Sequence, residues 1–404
     1  MTDPTAREEH LRALRHAVER MLDEVPLYKD LPRPGTDLNQ WLKTLPLIGK
    51  RELRRGFPKS LLRRGQDLNA AMADERVTLL ATSGTSADRL QVIWEWSWWD
   101  PQERAAMRLN QRVAAALANA EFREAVLTTP ACGGGTCHVG TQTQRERTLD
   151  GMLFFNESPD PSHWTTEACD RMLAEWREFK PRGVEADPAY LARLCGEARA
   201  RGLALPAPDF ITLTYETTTR AYQQQIERAL AAPVYQLYGA TEAGVLLMEC
   251  TEGLLHANDQ HVHLELIPVA DKLARVVVTT LGREWMPLLR YDIGDVVRLS
   301  GRSECACGLP SLLPLVERLE GRFIDCMKSE SGAMVTPLML DDAIMIAAPQ
   351  VQQWQLDSNV LTVVGEGAAQ AAQAVGGLTG RRVRGESASA IAAEASGKYR
   401  LVRS

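Results

Sequence analysis

Hydrophobic and polar positions in the first third of the chain alternate between helical and strand-like spacing. Apolar residues recur every three or four positions from Leu11 to Val25, which predicts an amphipathic helix. Val77–Ala81 is a short apolar run before a turn-forming cluster, so it predicts a buried strand, and the strand pattern resumes at Leu90–Trp94. A proline at the first helical position then favours one long helix from Pro101 to about Ala118.

The middle of the chain alternates between strand and helix patterns. Short apolar runs that predict strands are Ala125–Thr129, Val184–Ala186, Phe210–Leu213 and Val234–Leu237. Helical patterns lie between them at Ser162–Phe179, Tyr190–Arg201 and Arg220–Leu230. A succession of strand, helix and strand is typical of parallel strands with crossover helices, so the order predicts an α/β core.

The pattern changes twice after His261. Three segments rich in β-branched residues between His261 and Leu299 predict an antiparallel β subdomain, which we expect at about residues 250–320. A last segment begins near Asp325. Its alternating stretch Val351–Gly367 predicts a hairpin, and the Ala/Gly-rich stretch after it is either a helix or a flexible connector. We therefore expect a core domain at residues 1–324 and a small domain at residues 325–404.

Composition narrows the class of protein. Hydrophobic residues make up 45% of the 404 positions and charged residues 24%, ordinary values for a soluble globular protein, which excludes collagen and coiled-coil classes. The net charge of −6 gives no sign of a nucleic-acid-binding face. No run of about 18 apolar residues predicts a membrane span. The charged N-terminus lacks a secretory signal, so we expect a cytoplasmic protein whose eight cysteines are thiols or metal ligands.

The turn after the first predicted strand consists of small and hydroxylated residues. They are Thr82, Ser83, Gly84, Thr85 and Ser86. The backbone N–H groups and hydroxyls of such a loop can bind phosphate oxygens, as oriented amide nests do. Taken alone, such a segment is more often only a turn.

A second candidate site directly follows the predicted strand Val234–Leu237. It consists of Tyr238, Gly239, Ala240, Thr241 and Glu242. The glycine permits a tight turn, and a glutamate at the carboxyl end of a parallel strand lies where open α/β sheets bind ligands. Glu242 could hold Mg²⁺, which takes carboxylate and phosphate oxygens. The alternative for Thr241 and Glu242 is a helix-capping pair.

Three weaker signals lie further along the chain. Asp295, in the sequence RYDIGD, could accept hydrogen bonds from both hydroxyls of a ribose, or it closes an ordinary Gly-Asp turn. Gly321–Asp325 is either a functional segment or an exposed turn between domains. Lys398 lies close to the C-terminus, where a lone lysine is ordinarily a solvated charge.

The order and spacing of these motifs resemble the adenylate-forming superfamily, which includes acyl-CoA ligases, peptide-synthetase adenylation domains and luciferases. Within it, the phenylacetate–CoA ligase branch is the most similar. VPLYKD and LPLIGKRELRRGFP resemble its opening, EFKPRGVEADPAYLARL resembles a central segment, and MPLLRYDIGD followed by CACG and LEGR resembles its late core. The resemblance runs from about Val25 to Lys398.

The resemblance implies a fold and a reaction. The fold is a large N-terminal α/β domain that includes a β subdomain, followed by a small, mobile α+β domain. In the reaction, a carboxylate attacks the α-phosphate of ATP to give acyl-AMP and pyrophosphate. A thiol, from CoA or from the phosphopantetheine of an acyl carrier protein, then displaces AMP.

The resemblance also implies which residues bind the nucleotide. Thr82, Ser83, Gly84, Thr85 and Ser86 would hold the β- and γ-phosphates. Tyr238 and Gly239 would contact the adenine, with Glu216 at its edge. Asp295 would hold the ribose, helped by Arg322.

The catalytic roles follow from the same resemblance. Thr241 would touch the α-phosphate, and Glu242 would bind Mg²⁺, which neutralises developing charge. Asp325 would be the hinge about which the small domain rotates. Lys398 would bridge the attacking carboxylate and the phosphate in the first half-reaction only.

Three positions depart from the pattern of the superfamily. The phosphate loop usually continues Gly-x-Pro, but here it continues Ala87–Arg89, and Asp88 beside a triphosphate is electrostatically unfavourable. The Gly-Glu or Ala-Glu element at the adenine edge is Tyr215–Glu216, and the bulk of Tyr215 would narrow the nucleotide or acyl pocket. Ile324 stands where an acidic residue is common.

Two sets of cysteine and histidine residues are candidates for metal or nucleophile chemistry. Cys250, His256, Cys305 and Cys307 offer three thiolates and one imidazole, which suits a closed structural Zn²⁺ site. Several members of the branch have a similar set, and the alternative is reduced thiols. Cys137 and His138 could form a nucleophile pair, although packing in the acyl pocket is the expected role.

The acyl pocket implied by the resemblance is lined by small and aromatic residues. They are Gly133, Gly134, Cys137, His138, Tyr215 and Ala240. Flat walls and a glycine-rich loop favour an aromatic carboxylic acid, with a short aliphatic acid as the alternative. The alternation in WEWSWW would put Trp94, Trp96 and Trp98 on one face of a strand that packs beneath the phosphate loop.

Three functions fit the residues. The first is an ATP-dependent, AMP-forming ligase that joins a carboxylic acid to the thiol of CoA or of a carrier protein. The second is an acyltransferase of the same fold that has lost adenylation and moves an acyl group between CoA and a carrier protein. The third is a non-catalytic binding relative. A homodimer is left open as the oligomeric state.

Overall fold

A computed structural model of the chain describes residues 4–82, 89–129, 142–155 and 160–403. The helices in chain order are α1 (Pro4–Glu24), α2 (Leu38–Thr44), α3 (Lys50–Arg54), α4 (Leu68–Ala73), α5 (Trp96–Met107), α6 (Gln111–Leu117), α7 (Thr166–Phe179), α8 (Pro188–Ala200), α9 (Arg220–Ala229), α10 (Pro337–Ala347) and α11 (Ala368–Thr379). In the described part of the chain, no helix has the length and apolarity to cross a membrane.

The strands fall between these helices. In chain order they are β1 (Val77–Ala81), β2 (Gln91–Glu95), β3 (Glu124–Leu127), β4 (Thr148–Leu149), β5 (Met152–Phe154), β6 (Gly183–Ala186), β7 (Phe210–Leu213), β8 (Val234–Ala240), β9 (Gly244–Glu249), β10 (Leu255–Ala257), β11 (Val262–Ala270), β12 (Leu273–Thr280), β13 (Tyr291–Leu299), β14 (Val316–Arg322), β15 (Met327–Lys328), β16 (Met334–Val335), β17 (Val351–Asp357), β18 (Val360–Gly365), β19 (Arg384–Ala388) and β20 (Val402–Arg403).

The described residues group into two compact units. The first comprises those of Met1–Gln111 and Leu237–Arg318, and the second those of Arg112–Cys132, Thr136–Gln236 and Leu319–Ser404. Strand β8 begins in the second unit and ends in the first. The domain boundary expected between residues 324 and 325 stays a prediction.

The second unit contains the parallel sheet that the α/β pattern predicts. β3 pairs in parallel with β5 and β6, β6 with β7, and β7 with the start of β8. All four side chains of β3 and all four of β7 are buried, as expected for strands covered on both faces. Helices α7, α8 and α9 connect successive strands, and their apolar faces form one core with the sheet.

The second unit also contains a small α+β module at its C-terminal end. β17 and β18 form the predicted antiparallel hairpin, and β19 and β20 pair with them in parallel. The Ala/Gly-rich stretch after the hairpin is the helix α11, not a flexible connector. A separate apolar core centred on Trp354, Leu340 and Val375 holds α10 and α11 against these strands.

The first unit contains the predicted antiparallel β subdomain. β11 pairs with β12 from Val262–Thr280 onward, and β12 pairs with β13. A second antiparallel set joins β9 to β10 and to the end of β8. The segments rich in β-branched residues therefore indicated β11, β12 and β13 correctly.

The tryptophan-rich segment is helical, and the predicted strand and helix bounds there are wrong. β2 ends at Glu95, and α5 begins at Trp96, so that Pro101 lies inside a helix and Trp96 and Trp98 do not share a strand face with Trp94. The expected long helix is two helices, α5 and α6. Tertiary contacts outweigh the local signal here, because the buried Trp98 donates its indole N–H to the Leu281 carbonyl at 2.8 Å.

Candidate functional site

Thr82 closes the arms of a hairpin at the base of the predicted phosphate loop. β1 and β2 pair antiparallel, and the Thr82 N–H donates to the Leu90 carbonyl at 2.9 Å. The Leu90 N–H donates to the Thr82 hydroxyl oxygen at 3.0 Å. These two bonds extend the pairing of β1 and β2 to Thr82 and Leu90. The other predicted phosphate ligands, Ser83, Gly84, Thr85 and Ser86, lie outside the described residues.

Tyr238, Gly239 and Ala240 belong to the end of β8, which continues three residues beyond the predicted strand. Ala240 pairs with Gly244 at the start of β9, so Thr241 and Glu242 lie in the turn of a β-hairpin. The helix-capping alternative for these two residues is therefore wrong. A Cβ at Gly239 would lie 2.6 Å from the Gly244 carbonyl oxygen, so only glycine fits this close approach.

The Glu242 side chain is buried and held in place by two neighbours. It is 4% exposed, and the Tyr291 hydroxyl donates to Glu242 Oε1 at 2.6 Å. The Arg283 guanidinium donates to the Glu242 backbone carbonyl at 2.5 Å and lies 5.0 Å from the centroid of the Trp98 ring. Burial lowers the pKa of Arg283 to about 10, which still leaves it cationic at neutral pH. A buried cation thus fixes the backbone that carries the carboxylate.

Tyr238 and Asp295, predicted to contact adenine and ribose, are in direct contact. The Tyr238 hydroxyl donates to Asp295 Oδ2 at 2.8 Å. Gly294 beside Asp295 has a φ of +86°, and the register of β12 with β13 shifts in the same region. Strand β13 therefore contacts the β8–β9 hairpin at two places, through Tyr291 to Glu242 in the turn and through Asp295 to Tyr238 in β8.

Tyr215, Glu216 and Lys398 meet in the second unit, although 182 residues separate Glu216 from Lys398 along the chain. Lys398 Nζ donates to the Tyr215 carbonyl at 2.6 Å, and the Tyr399 N–H donates to Glu216 Oε1. Tyr215 has a φ of +70°, a left-handed conformation that is uncommon for a bulky residue. Its hydroxyl donates to the Glu185 carboxylate at the end of β6.

Asp187, which the motif analysis missed, lies behind Glu216. It is fully buried, and its Oδ1 caps α8 by accepting the Ala189 N–H at 3.0 Å. Burial raises the pKa of Asp187 to about 6, and burial together with the Asp187 charge raises the pKa of Glu216 well above its usual range. In the sequence, Asp187 has only the signal of a helix N-cap before Pro188, which does not predict its contact with Glu216.

The remaining predicted site residues are Asp325, Arg322 and those of the acyl pocket. Arg400 donates to Asp325 Oδ1 from Nε at 3.0 Å and from Nη2 at 2.8 Å, so the predicted hinge residue is ion-paired. Arg322 is exposed at the end of β14. The pocket residues Gly133, Gly134, Cys137 and His138 lie outside the described residues, and Ala240 is half-buried.

The four predicted zinc ligands come together in the first unit. The ligand atoms of Cys250, His256, Cys305 and Cys307 all lie within 4.8 Å of one another. The Cys250 and Cys305 sulfurs are 3.5 Å apart, and the Cys307 sulfur is 3.4 Å from His256 Nε2. Tetrahedral Zn²⁺ with bonds of about 2.0–2.3 Å holds its ligand atoms roughly 3.5–3.8 Å apart, so the donor set fits this ion.

Comparison with known proteins identifies relatives by sequence. The chain is 26% identical to phenylacetate-coenzyme A ligase from Thermus thermophilus over 377 residues, which cover 86% of this chain and 78% of that protein. It is 25% identical to phenylacetate-coenzyme A ligase from Pseudomonas putida over 367 residues, with 84% and 75% covered. No family model matches the chain.

Comparison with solved structures identifies the fold. A 2-hydroxyisobutyryl-CoA ligase in the postadenylation state superimposes with a TM-score of 0.74 at 16% identity, over 100% of this chain and 90% of that one. An anthranilate CoA ligase in complex with anthranoyl-AMP gives a TM-score of 0.50 at 14% identity, over 90% and 70%. These likenesses confirm the predicted α/β fold of the adenylate-forming enzymes.

Proposed function

We propose that this chain, a relative of the phenylacetate–coenzyme A ligases with the fold of the adenylate-forming enzymes, joins a small carboxylic acid to the thiol of coenzyme A. In the first step ATP and the acid give acyl-AMP and pyrophosphate, and in the second the thiol displaces AMP. The observation that carries the proposal is a pair of hydrogen bonds between β13 and the β8–β9 hairpin, from Tyr291 to Glu242 and from Tyr238 to Asp295. The names of the sequence relatives supply the reaction class.

The nucleotide would bind along the end of β8. Asp295 would accept hydrogen bonds from the ribose hydroxyls, and Tyr238, fixed by its bond to Asp295, would present its ring to the adenine above the backbone of Gly239. Arg322 would assist at the ribose. The phosphates would lie on the loop that begins at Thr82. Because Thr82 already closes the hairpin base, the N–H groups of the following residues are the better candidates for phosphate contact.

Glu242 fits the requirements of a magnesium ligand. Its Oε1 accepts from Tyr291, and this is the one hydrogen bond to the carboxylate among the described residues. Oε2 is left for an ion that prefers carboxylate and phosphate oxygens. When bound, Mg²⁺ would neutralise charge on the phosphates. Thr241, beside it in the same turn, would place its hydroxyl toward the α-phosphate.

Lys398 would carry the first half-reaction. A lysine ammonium can attract both the attacking carboxylate and the α-phosphate, which brings two negative groups together. Its present bond to the Tyr215 carbonyl keeps it beside Glu216 within the second unit. Glu216 would border the adenine, and rotation about Asp325 would withdraw Lys398 before the thiol attacks. The mobility of the small module is part of this proposal.

A structural zinc ion would occupy the Cys250, His256, Cys305 and Cys307 cluster. Its four donors match a closed tetrahedral site with no position for substrate, so the ion would hold the fold and take no part in chemistry. Burial raises the pKa of Cys250 to about 12, which metal binding would reverse by stabilising the thiolate.

We propose an aromatic acid as the substrate. Tyr215 projects 38% of its surface at the carboxyl end of β7, where it offers a flat wall to a ring. The named substrates of similar proteins, phenylacetate and anthranilate, are also ring-bearing acids, whereas 2-hydroxyisobutyrate is short and aliphatic. Coenzyme A is the proposed acceptor, and a carrier-protein thiol is the alternative.

A screen of carboxylic acids tests the proposal. ATP–pyrophosphate exchange is measured with each acid in the absence of CoA, and AMP and thioester are measured after CoA is added. We expect exchange with at least one aryl acid and one AMP per thioester formed. Acyl transfer from acyl-CoA to a carrier protein without ATP, and no exchange with any acid, would favour the acyltransferase instead.

A further inference from the structure

The segment that carries Lys398 is held at several points within the second unit. Besides the bonds from Lys398 to the Tyr215 carbonyl and from the Tyr399 N–H to Glu216, the Tyr190 hydroxyl donates to the Gly397 carbonyl at 3.2 Å. A Cβ at Gly397 would lie 2.2 Å from Thr129 Oγ1, so the segment is closely packed. The position of Lys398 therefore depends on the groups beneath it.

Two of those groups are carboxyls that face each other. Asp187 Oδ2 and Glu216 Oε2 are both buried, and within the described residues neither receives a hydrogen bond from an N–H or O–H group. The two side chains interact directly, and each also feels the charge of Lys398. Two bare carboxylate oxygens in such a place repel each other unless one proton lies between them.

We propose that Asp187 and Glu216 share one proton and act as a positioning pair, whose single remaining negative charge holds the Lys398–Tyr399 segment in its docked position. Neither residue needs to touch a substrate in this role. The charge complements the ammonium of Lys398, while Glu216 Oε1 accepts from the Tyr399 N–H. The catalytic consequence rests on the proposed function, but the docking itself does not.

Of the carboxyls around Lys398, Asp187, Glu216 and Glu185 have a pKa raised by burial, and Glu185 accepts from the Tyr215 hydroxyl. Asp160 accepts from the Tyr399 hydroxyl at 3.2 Å, and its pKa is lowered by hydrogen bonds from Ser162 and Ala393 that outweigh its burial. Burial raises the pKa of Tyr190, Tyr222 and Tyr399. Docking should therefore weaken as the pH falls from 7 toward 5 and the pair takes up its second proton.

The closing experiment is amide hydrogen exchange at Tyr399 in four proteins: wild type, Asp187→Asn, Glu216→Gln and the double variant. Asn caps a helix as well as Asp does, and Gln keeps an oxygen for the Tyr399 N–H. Each single variant retains one carboxyl, which can ionise alone and keep the negative charge. We expect less than about a threefold loss of protection in either single variant and more than about tenfold in the double variant.

Equal losses in the single and double variants would overturn the proposal, as would no loss in any of them. Asp341→Asn is the matched control, because Asp341 is also buried with a pKa raised to about 6, but it binds Arg220 and Trp354. An equal loss of Tyr399 protection in this control would mean general destabilisation and also overturn the proposal. If the double variant does not fold, the protection of the Tyr399 amide in the wild type is measured from pH 7 to pH 5 instead. A protection factor that stays constant over this range contradicts the shared proton.

Activity separates this inference from the proposed function. The double variant should lose pyrophosphate exchange, as we also expect of Lys398→Ala, but keep transfer of preformed acyl-AMP to CoA. If no acid supports exchange even in the wild type while the pattern of protection holds, the proposed function fails and the positioning pair stands. Exchange activity without that pattern supports the function and refutes the pair.

Discussion

Single side chains decide the chemistry that the end of β8 can perform. A carboxylate excluded from water is costly unless hydrogen bonds or a cation compensate for the lost hydration. Among the described residues, Glu242 receives one such bond, from Tyr291, and the buried Arg283 donates to its backbone carbonyl. A metal ion would complete the compensation, which is the physical reason to place magnesium there.

Glu242→Gln should lower the rate of pyrophosphate exchange by about 100-fold or more, because an amide oxygen carries no net charge to hold Mg²⁺ or to offset its field. The measurement is exchange at saturating acid over a series of Mg²⁺ concentrations. Tyr291→Phe removes only the hydrogen bond that orients Glu242 and should lower the exchange rate by about tenfold. Glu252→Gln, at an exposed position, is the control. Wild-type exchange in Glu242→Gln would refute the assigned role.

At the scale of elements, the cluster of three cysteines and His256 brings together parts of the first unit that are distant in the chain. Cys250 follows β9 and His256 lies in β10, while Cys305 and Cys307 lie between β13 and β14. The segment between β13 and β14 has no regular strand or helix of its own. A bound ion would fix it to the β9–β10 hairpin, beside the small apolar cluster that Cys250, Leu254 and Leu315 form there.

The purified protein should contain one zinc ion per chain, measured by atomic emission. Removal of the ion by a chelator should lower the melting temperature by about 5 °C or more, because the bound ion stabilises only the folded state. Cys307→Ser should abolish zinc binding, whereas Cys326→Ser, outside the cluster, should retain it. A metal-free protein with unchanged stability would show that the cluster consists of reduced thiols.

At the scale of the whole molecule, buried titratable groups make stability depend on pH in two opposite ways. Burial lowers the pKa of His256, His261 and His263, so their neutral forms favour the folded state. Burial raises the pKa of Glu95 and Asp341, so their protonated forms favour it as well. Acidification therefore lowers the free energy of unfolding through the histidines and raises it through the carboxyls.

His263→Gln should make the free energy of unfolding less sensitive to acid. His263 contacts His10 at 3.0 Å, and burial lowers its pKa from 6.5 to about 3. The contribution of neutral His263 to the free energy of unfolding is complete above pH 6.5. It falls by about 1.4 kcal/mol per pH unit as the pH drops toward 3, because only the unfolded state then binds the proton. Urea unfolding at pH 7, 6 and 5 measures the slope. His16→Gln, exposed on α1, should leave the slope unchanged.

The sequence by itself determined the order of elements and the set of candidate residues. The parallel α/β core, the antiparallel β subdomain and the C-terminal hairpin follow from periodicity, since each strand or helix must bury one face or both. The order of short motifs indicated Tyr238, Glu242 and Asp295, and the donor types of three cysteines and one histidine indicated a candidate metal site. Periodicity and short motifs involve residues close together in the sequence, so they can be recognised without knowing which segments contact each other in the fold.

Only the tertiary structure decided what those residues touch. It moved the start of α5 to Trp96, because the contacts of Trp98 outweigh the signal of Pro101, and it placed Thr241 and Glu242 in a hairpin turn. It also brought Tyr291 to Glu242 and Asp187 to Glu216. Hydrogen bonds and pKa shifts depend on burial and on distances between remote segments, and these quantities exist only once the chain has folded.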